Sequence, residues 1–225
     1  MMLAIISDVH SNLHALEAVL KDIDHSRADM VVCAGDLVGY CAFPDECCEI
    51  LKGRASKLVK GNHDCAVLER DPSGANPYAA RAILWTADVI SNESREFLGG
   101  LGMEARFPVG GRSIAMYHGS PDSVDEYVFE DDVDDELVES TDADVLVLGH
   151  THVPCVKKLR MGLFVNPGSV GQPRDGEWRA SFAVLDTDAN ECSIRRVPYD
   201  LNAAAEAIRK AGLPGILAER LFYGT

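Results

Sequence analysis

Apolar positions along the chain fall into two rhythms. Short, mostly apolar runs at Leu3–Ile6, Met30–Ala34, Lys57–Val59, Ser113–Tyr117 and Val145–Leu148 read as buried β-strands. Between the first two, Leu13, Leu16, Val19 and Leu20 recur at helical spacing, and a further helix is expected near Pro44–Leu51 with proline in its first turn. Residues 66–101 read as largely helical, with Ala79, Ile83, Ala87 and Ile90 on one face and Trp85 expected in the core. The segment follows the third strand directly, so it is expected to lean over the strand ends as a partial cap. The second half turns to short strands at Cys155–Leu159, Leu163–Val165, Ser181–Asp186 and Cys192–Val197, with Met161-Gly162 and Thr187–Asn190 as hairpin turns. A last helix is expected from Asp200 or Asn202 to Lys210, with Gly212 beyond its end. No internal repeat, low-complexity tract or linker interrupts the pattern, and a single domain over 1–225 is the expectation.

The polar residues that follow five of these strands are not ordinary turn formers. In order they are Asp8-Val9-His10, Gly35-Asp36, Gly61-Asn62-His63-Asp64, His118 and Gly149-His150-Thr151-His152. A parallel sheet delivers the residues after its strands to one edge, where open α/β proteins place their sites. Asp, Asn and His are oxygen and imidazole ligands for divalent metals. Taken singly, each motif has a bland reading: Asp8 as a helix cap, Gly35-Asp36 as a turn, His118 as a satisfied polar residue. Five strands ending in metal-ligand residues together point to a dinuclear metallohydrolase.

Composition narrows the partners. Net charge is −15, and Asp122–Asp144 holds twelve acidic residues without a Lys or Arg. The simplest reading of that segment is a solvated loop and helix face. An acidic surface repels phosphate backbones, so long DNA or RNA is disfavoured. The chain opens directly into a strand and has no apolar run near the roughly 18 residues of a membrane span. Its seven cysteines are an odd number, which suits reduced thiols and a cytoplasmic location. Cys41, Cys47 and Cys48 are close together but lack the paired spacing of a structural zinc site. A homo-oligomer is left open by the apolar positions of Leu213–Tyr223, which could serve an interface or close the core.

The ordered series D-V-H, G-D, G-N-H-D, H and G-H-T-H resembles the calcineurin-like metallophosphoesterases, from Ser7 to about Arg174. The surrounding S-D-V-H-S-N, G-D-L-V-G-Y, H-G-S-P and V-N-P-G-S-V-G-Q-P-R-D-G are similar to a compact prokaryotic branch of phosphodiesterase-like and diadenosine-tetraphosphatase-related proteins. The fold this implies is α/β (α+β by some schemes), a four-layer α-β-β-α sandwich of two mixed sheets flanked by helices.

The resemblance also implies roles. Asp8, His10 and His152 would hold one metal, Asn62, His118 and His150 a second, and Asp36 would bridge them. Gly149 is expected to permit the backbone turn that lets His150 and His152 reach different ions. His63 would protonate the leaving alcohol. Asp64 would orient His63 or cap the following helix, and Asn12 would touch substrate or act as an N-cap. Where serine/threonine phosphatases of the family continue Gly-Asp with an Asp-Arg pair, this chain has Gly39-Tyr40. That departure disfavours a protein phosphatase and leaves Arg174 as the candidate phosphate-binding residue, or else a surface salt bridge with Asp175. The expected activity is hydrolysis of small phosphomonoesters or phosphodiesters, nucleotides among them, by in-line attack of a metal-bound hydroxide. The ligand set suits manganese, iron or zinc. The alternatives are a dinucleoside polyphosphate hydrolase and a non-catalytic metal-binding scaffold for protein interaction.

Overall fold

A computed structural model describes residues 1–225. The short apolar runs form strands as their period predicts, and the strands sort into two five-stranded sheets. The first holds β1 (Met2–Ile6), β2 (Met30–Cys33), β3 (Lys57–Leu58), β9 (Ala180–Asp186) and β10 (Glu191–Val197), in the order β10-β9-β1-β2-β3. The second holds β4 (Glu104–Val109), β5 (Arg112–Tyr117), β6 (Val145–Val147), β7 (Cys155–Lys158) and β8 (Leu163–Asn166), in the order β4-β5-β6-β8-β7. Both sheets are mixed. β1, β2 and β3 run parallel, as do β5, β6 and β8, while the remaining strands pair antiparallel.

Alternation along each strand divides the apolar residues between two faces. Leu3 and Ile5 of β1 point at Ile114, Met116, Val145 and Val147 of the other sheet and form a dry layer between the sheets. Ala4 and Ile6, one residue out of phase, face the helices instead. Those helices are α1 (Leu13–Ser26), α2 (Pro44–Arg54), α3 (Asn62–Glu69), α4 (Pro77–Val89), α5 (Asn92–Gly99), α7 (Leu201–Lys210) and α8 (Gly215–Tyr223). The outer face of the second sheet is covered by α6 (Asp135–Ser140) and its flanking loops, through Val128, Val133 and Val138. The four-layer α-β-β-α sandwich is therefore the fold. No helix is long and apolar enough to cross a membrane.

Two local outcomes differ from the sequence reading, and the C-terminal segment takes one of its two alternatives. Residues 66–101 are not one helical stretch: Asn76 and Ser91 cap new helices with their side chains and divide it into the rest of α3, α4 and α5. Strand β4 is an addition. Its sequence, Glu-Ala-Arg-Phe-Pro-Val, carries charges and a proline that hide a strand, and it lies at a sheet edge where those residues are tolerated. The C-terminal segment folds as α8 and buries Leu217, Ala218 and Leu221 against the main core. Cys41, Cys47 and Cys48 are buried free thiols.

Candidate metal centre

Every parallel strand that precedes a polar motif ends on the same edge of its sheet, so the loops after β1, β2, β3, β5 and β6 meet above the seam between the sheets. Their backbones are unusual there. Asp8, His10, Asp36, His150 and His152 all adopt left-handed φ, between 49° and 66°. Non-glycine residues rarely do so, and where several cluster the surrounding structure is holding them for a purpose. The turn at 149–152 is made by the two histidines themselves. Gly149 serves a different need from the one expected, since a Cβ there would run into Ser7 and the Ala34 carbonyl.

The turns bring the seven expected ligands together, all buried or nearly so. His10 Nε2 lies 3.8 Å from Asp8 Oδ1 and 3.5 Å from Asp36 Oδ2. His152 Nε2 lies 3.3 Å from Asp8 Oδ1. Across the site, His118 Nε2 is 3.4 Å from Asp36 Oδ2 and 3.1 Å from Asn62 Oδ1. Two groupings emerge, Asp8 with His10 and His152, and Asp36 with His118 and His150, each with donor atoms within 4.8 Å of one another. Asp36 belongs between them: its Oδ1 accepts the His63 backbone N–H at 2.8 Å, while its Oδ2 faces both His10 and His118.

Each histidine is oriented from behind. The Nδ1–H of His10 donates to the Val38 carbonyl, that of His118 to Ala34, and that of His152 to Gln172. His150 is turned round, with Nε2–H donating to the Asp125 carbonyl at 3.1 Å. A carbonyl accepts only from N–H, so these bonds select the tautomer and direct the other ring nitrogen inward, as the outer partners of metal-ligating histidines do.

Burial and charge set the protonation. Burial drives the imidazoles of His10, His150 and His152 below their ordinary range, which leaves them neutral. Burial alone would raise Asp8 and Asp36, but the surrounding histidines outweigh it and hold both carboxyls well below the usual range. At His118 burial is overcome by the Asp36 carboxylate, which pushes the imidazole up to about 10. The carboxylates thus favour positive charge at the centre. Asp8 Oδ1 is buried with no hydrogen-bond partner, the mark of an oxygen kept for a cation. Buried carboxylates, one amide and inward-facing imidazoles fit two divalent ions.

His63 sits beside Asn62 with its ring 4.8 Å from His10 and 4.5 Å from Tyr40. Its Nδ1 is buried without a partner, and the neighbour it faces is Gly39, where a Cβ would lie 2.7 Å away. Gly39 stands where the serine/threonine phosphatases of the family have Asp, so no carboxylate faces Nδ1. The distances also let His63 group with His10 and Asp36 around a cation. Asp64 does not orient it. The Asp64 carboxylate accepts backbone N–H groups of Leu37, Val38 and Gly61 at 3.2, 3.0 and 3.0 Å and ties the two ligand-bearing turns together. Burial and the nearby Asp36 charge push that carboxyl up to about 7.

Asn12 is a structural cap. Its Oδ1 accepts the Ala15 N–H, its Nδ2 donates to the Gly171 carbonyl, and no face is left for a ligand. Arg174 does not pair with Asp175, which is taken by Arg196. Its guanidinium donates to the Tyr40 hydroxyl at 3.1 Å, and its Nε is buried without a partner. Sequence reasoning missed Tyr40, packed on His10 and His63, and Tyr127, whose ring lies 4.0 Å from His150. It also missed Arg220 of α8, lowered by burial and then by the like charge of Arg174. Tyr40 carried a signal as the residue standing where the serine/threonine phosphatases of the family have an Arg; Tyr127 and Arg220 carried none.

Comparison with known proteins identifies the family. The family model for the calcineurin-like phosphoesterase superfamily domain matches residues 1–190. An uncharacterized protein of Methanocaldococcus jannaschii, MJ0912, is 40% identical over 241 residues, covering 99% of this chain and 98% of that one. Phosphodiesterase YfcE of Escherichia coli is 27% identical over 197 residues, covering 84% of this chain and 89% of that protein. Among solved structures, a metallophosphoesterase from Sphaerobacter thermophilus superimposes with a TM-score of 0.86 at 35% identity, over 100% of this chain and 99% of that one.

Proposed function

The chain belongs to the calcineurin-like phosphoesterase superfamily, and on that premise we propose that it hydrolyses small phosphomonoesters or phosphodiesters at a two-metal centre. The observation that carries the reading is the division of labour within Asp36. One oxygen is fixed by the His63 backbone N–H, and the other stands between His10 and His118, one from each ligand set. Asp8, His10 and His152 would hold one ion and Asn62, His118 and His150 the other, with Asp36 shared. When bound, such a pair activates water and neutralises the phosphoryl oxygens.

The chain's own residues supply the rest. Asn62 is a neutral ligand, so the centre carries less negative charge than an all-carboxylate site and accepts an anionic ester more readily. Arg174 has a free Nε and carries no carboxylate partner, which suits it to a phosphoryl oxygen. Tyr40 holds that guanidinium in place from the side of His63. His63 lines the cleft beside Asn62, and because its Nδ1 is buried against Gly39 the proton for the leaving oxygen would come from Nε2. Burial lowers its imidazole pKa, so its protonated form grows as pH falls. Manganese, iron and zinc all match the mixture of carboxylate, amide and imidazole ligands.

The test is hydrolysis of chromogenic phosphomonoesters and phosphodiesters by metal-stripped protein resupplied with manganese, zinc or iron. Turnover restored by metal and lost in Asp36→Asn supports the reading. A folded protein that binds two ions and turns over neither ester with any metal would overturn it.

A further inference from the structure

On the side of Asn62 and His63 the centre opens into a cleft of about 470 Å³. That is within the range of roughly 300–1,000 Å³ usual for small-ligand sites. Because Asn62, His63 and His150 all line it, an alcohol esterified to a phosphoryl group at the centre has room to extend into this space. Its two sides differ. One is the apolar flank of α3 and α4, with Ala66, Ala79 and Ile83. The other carries Tyr127, a large aromatic left 49% exposed and outside every hydrophobic cluster of the core.

Tyr127 is nevertheless held in place. Its ring is tilted by 31° over His150 at 4.0 Å and lies within 8° of parallel to Phe129 at 6.0 Å. His150 and, offset, Phe129 pack on the ring but leave about half of Tyr127 open, and that open part offers the cleft an aromatic surface. Charge limits what can stack there. No Lys or Arg lines the cleft, and its one charged residue is Asp125. A second phosphate in this space would meet a carboxylate, whereas an uncharged ring would meet apolar atoms and an aromatic face. Asp125 offers free acceptor oxygens to N–H groups on such a ring.

We infer that the cleft receives the uncharged planar ring of the ester's alcohol, stacked on Tyr127, as a nucleobase or an aryl group presents it. The inference rests on the phosphoesterase reading for the direction in which the substrate extends. It assigns Tyr127 as a specificity residue and makes esters of ring-bearing alcohols the preferred class over short alkyl esters.

Phosphonates test it without turnover, because their P–C bond is not hydrolysed. Calorimetric affinities of methylphosphonate, phenylphosphonate and the methylenephosphonate analogue of AMP are compared on manganese-loaded protein. The ring-bearing ligands are expected to bind roughly tenfold or more tightly than methylphosphonate, the scale of one base–aromatic stack. That advantage should persist in Tyr127→Phe and shrink to within about threefold in Tyr127→Ala and in Ala66→Phe, which fills the cleft from the α3 side. A tighter AMP analogue assigns the site to nucleobases; a tighter phenylphosphonate assigns it to aryl esters. Equal binding of all three by the unaltered protein, or an advantage that survives both cleft variants, would overturn the inference. Ring preference without ester turnover would sink the hydrolase reading alone; turnover without ring preference would sink this inference alone.

Discussion

His10 Nε2 and His152 Nε2 face each other at 3.0 Å, while the Nδ1 of each ring is engaged with a backbone carbonyl. Two neutral imidazoles in those tautomers oppose lone pair to lone pair, with the buried Asp8 Oδ1 as a third acceptor and no proton between them. The arrangement is repulsive by itself and becomes favourable around a cation. Metal should therefore stabilise the fold strongly. At a free concentration a hundred times Kd the gain is about 2.7 kcal/mol. For a chain of this length that is roughly 5–10 °C in Tm. Differential scanning calorimetry with and without chelator checks this, and an unchanged Tm at saturating manganese would count against the cation-holding arrangement.

A second prediction concerns a residue that ligates nothing. A Cβ on Gly61 would collide with Asp36 Oδ1 and with the Asp36 backbone nitrogen. Its φ of −97° is open to alanine, so the cost of Gly61→Ala is crowding against the bridging carboxylate. The substitution should destabilise by about 1–3 kcal/mol, the usual penalty for overpacking. It should also weaken metal binding, because Oδ2 cannot keep its place when Oδ1 is displaced. Paired urea unfolding and metal titration test both halves, and normal metal affinity in Gly61→Ala would show that Asp36 can move freely.

What was legible in the chain follows a physical rule. The strands were visible because buried parallel strands must be apolar throughout, as in Leu3–Ile6 and Val145–Val147. The ligands were visible because each sits immediately after such a strand. β4 was hidden because an edge strand may carry Glu104, Arg106 and Pro108 without loss. Asp64 was ambiguous because only coordinates reveal that its acceptors are saturated by three backbone N–H groups. Tyr127 and Arg220 were invisible for a different reason. Their importance lies in what they approach, His150 and Arg174, across long stretches of chain, and no local pattern encodes that.

His63 yields a prediction that separates proton donation from metal binding. With Nδ1 unpartnered and no acidic residue beside it, the ring is not needed to hold its neighbours in place. His63→Ala should lower the turnover of an ester with an alkyl leaving group by about 10²–10⁴-fold, the range for general acid catalysis. An ester of p-nitrophenol, which leaves without a proton, should lose far less. Steady-state rates on the two esters decide the matter. Equal losses on both would reassign His63 to the metal set with His10 and Asp36, a grouping the distances also allow.

Two half-buried cysteines give a pH dependence of their own. Cys65 and Cys155 are half-buried, and burial pushes each thiol up to about 11, with Asp64 adding to the effect at Cys65 and Glu130 at Cys155. The thiolate is the reactive form, so the sign is fixed: reactivity is low at neutral pH and climbs as pH rises toward 11. At pH 8 only about one thiol in a thousand would be ionised at each position, against roughly one in four for an ordinary cysteine. Labelling of the folded protein with an aromatic disulfide reagent should be slow at pH 8 and accelerate about tenfold per unit up to pH 10. Cys33, Cys41, Cys47 and Cys48 are buried and should react only on unfolding. Rapid modification of one thiol at pH 7 in the folded protein would contradict the burial assigned to these side chains and would mark that cysteine as activated.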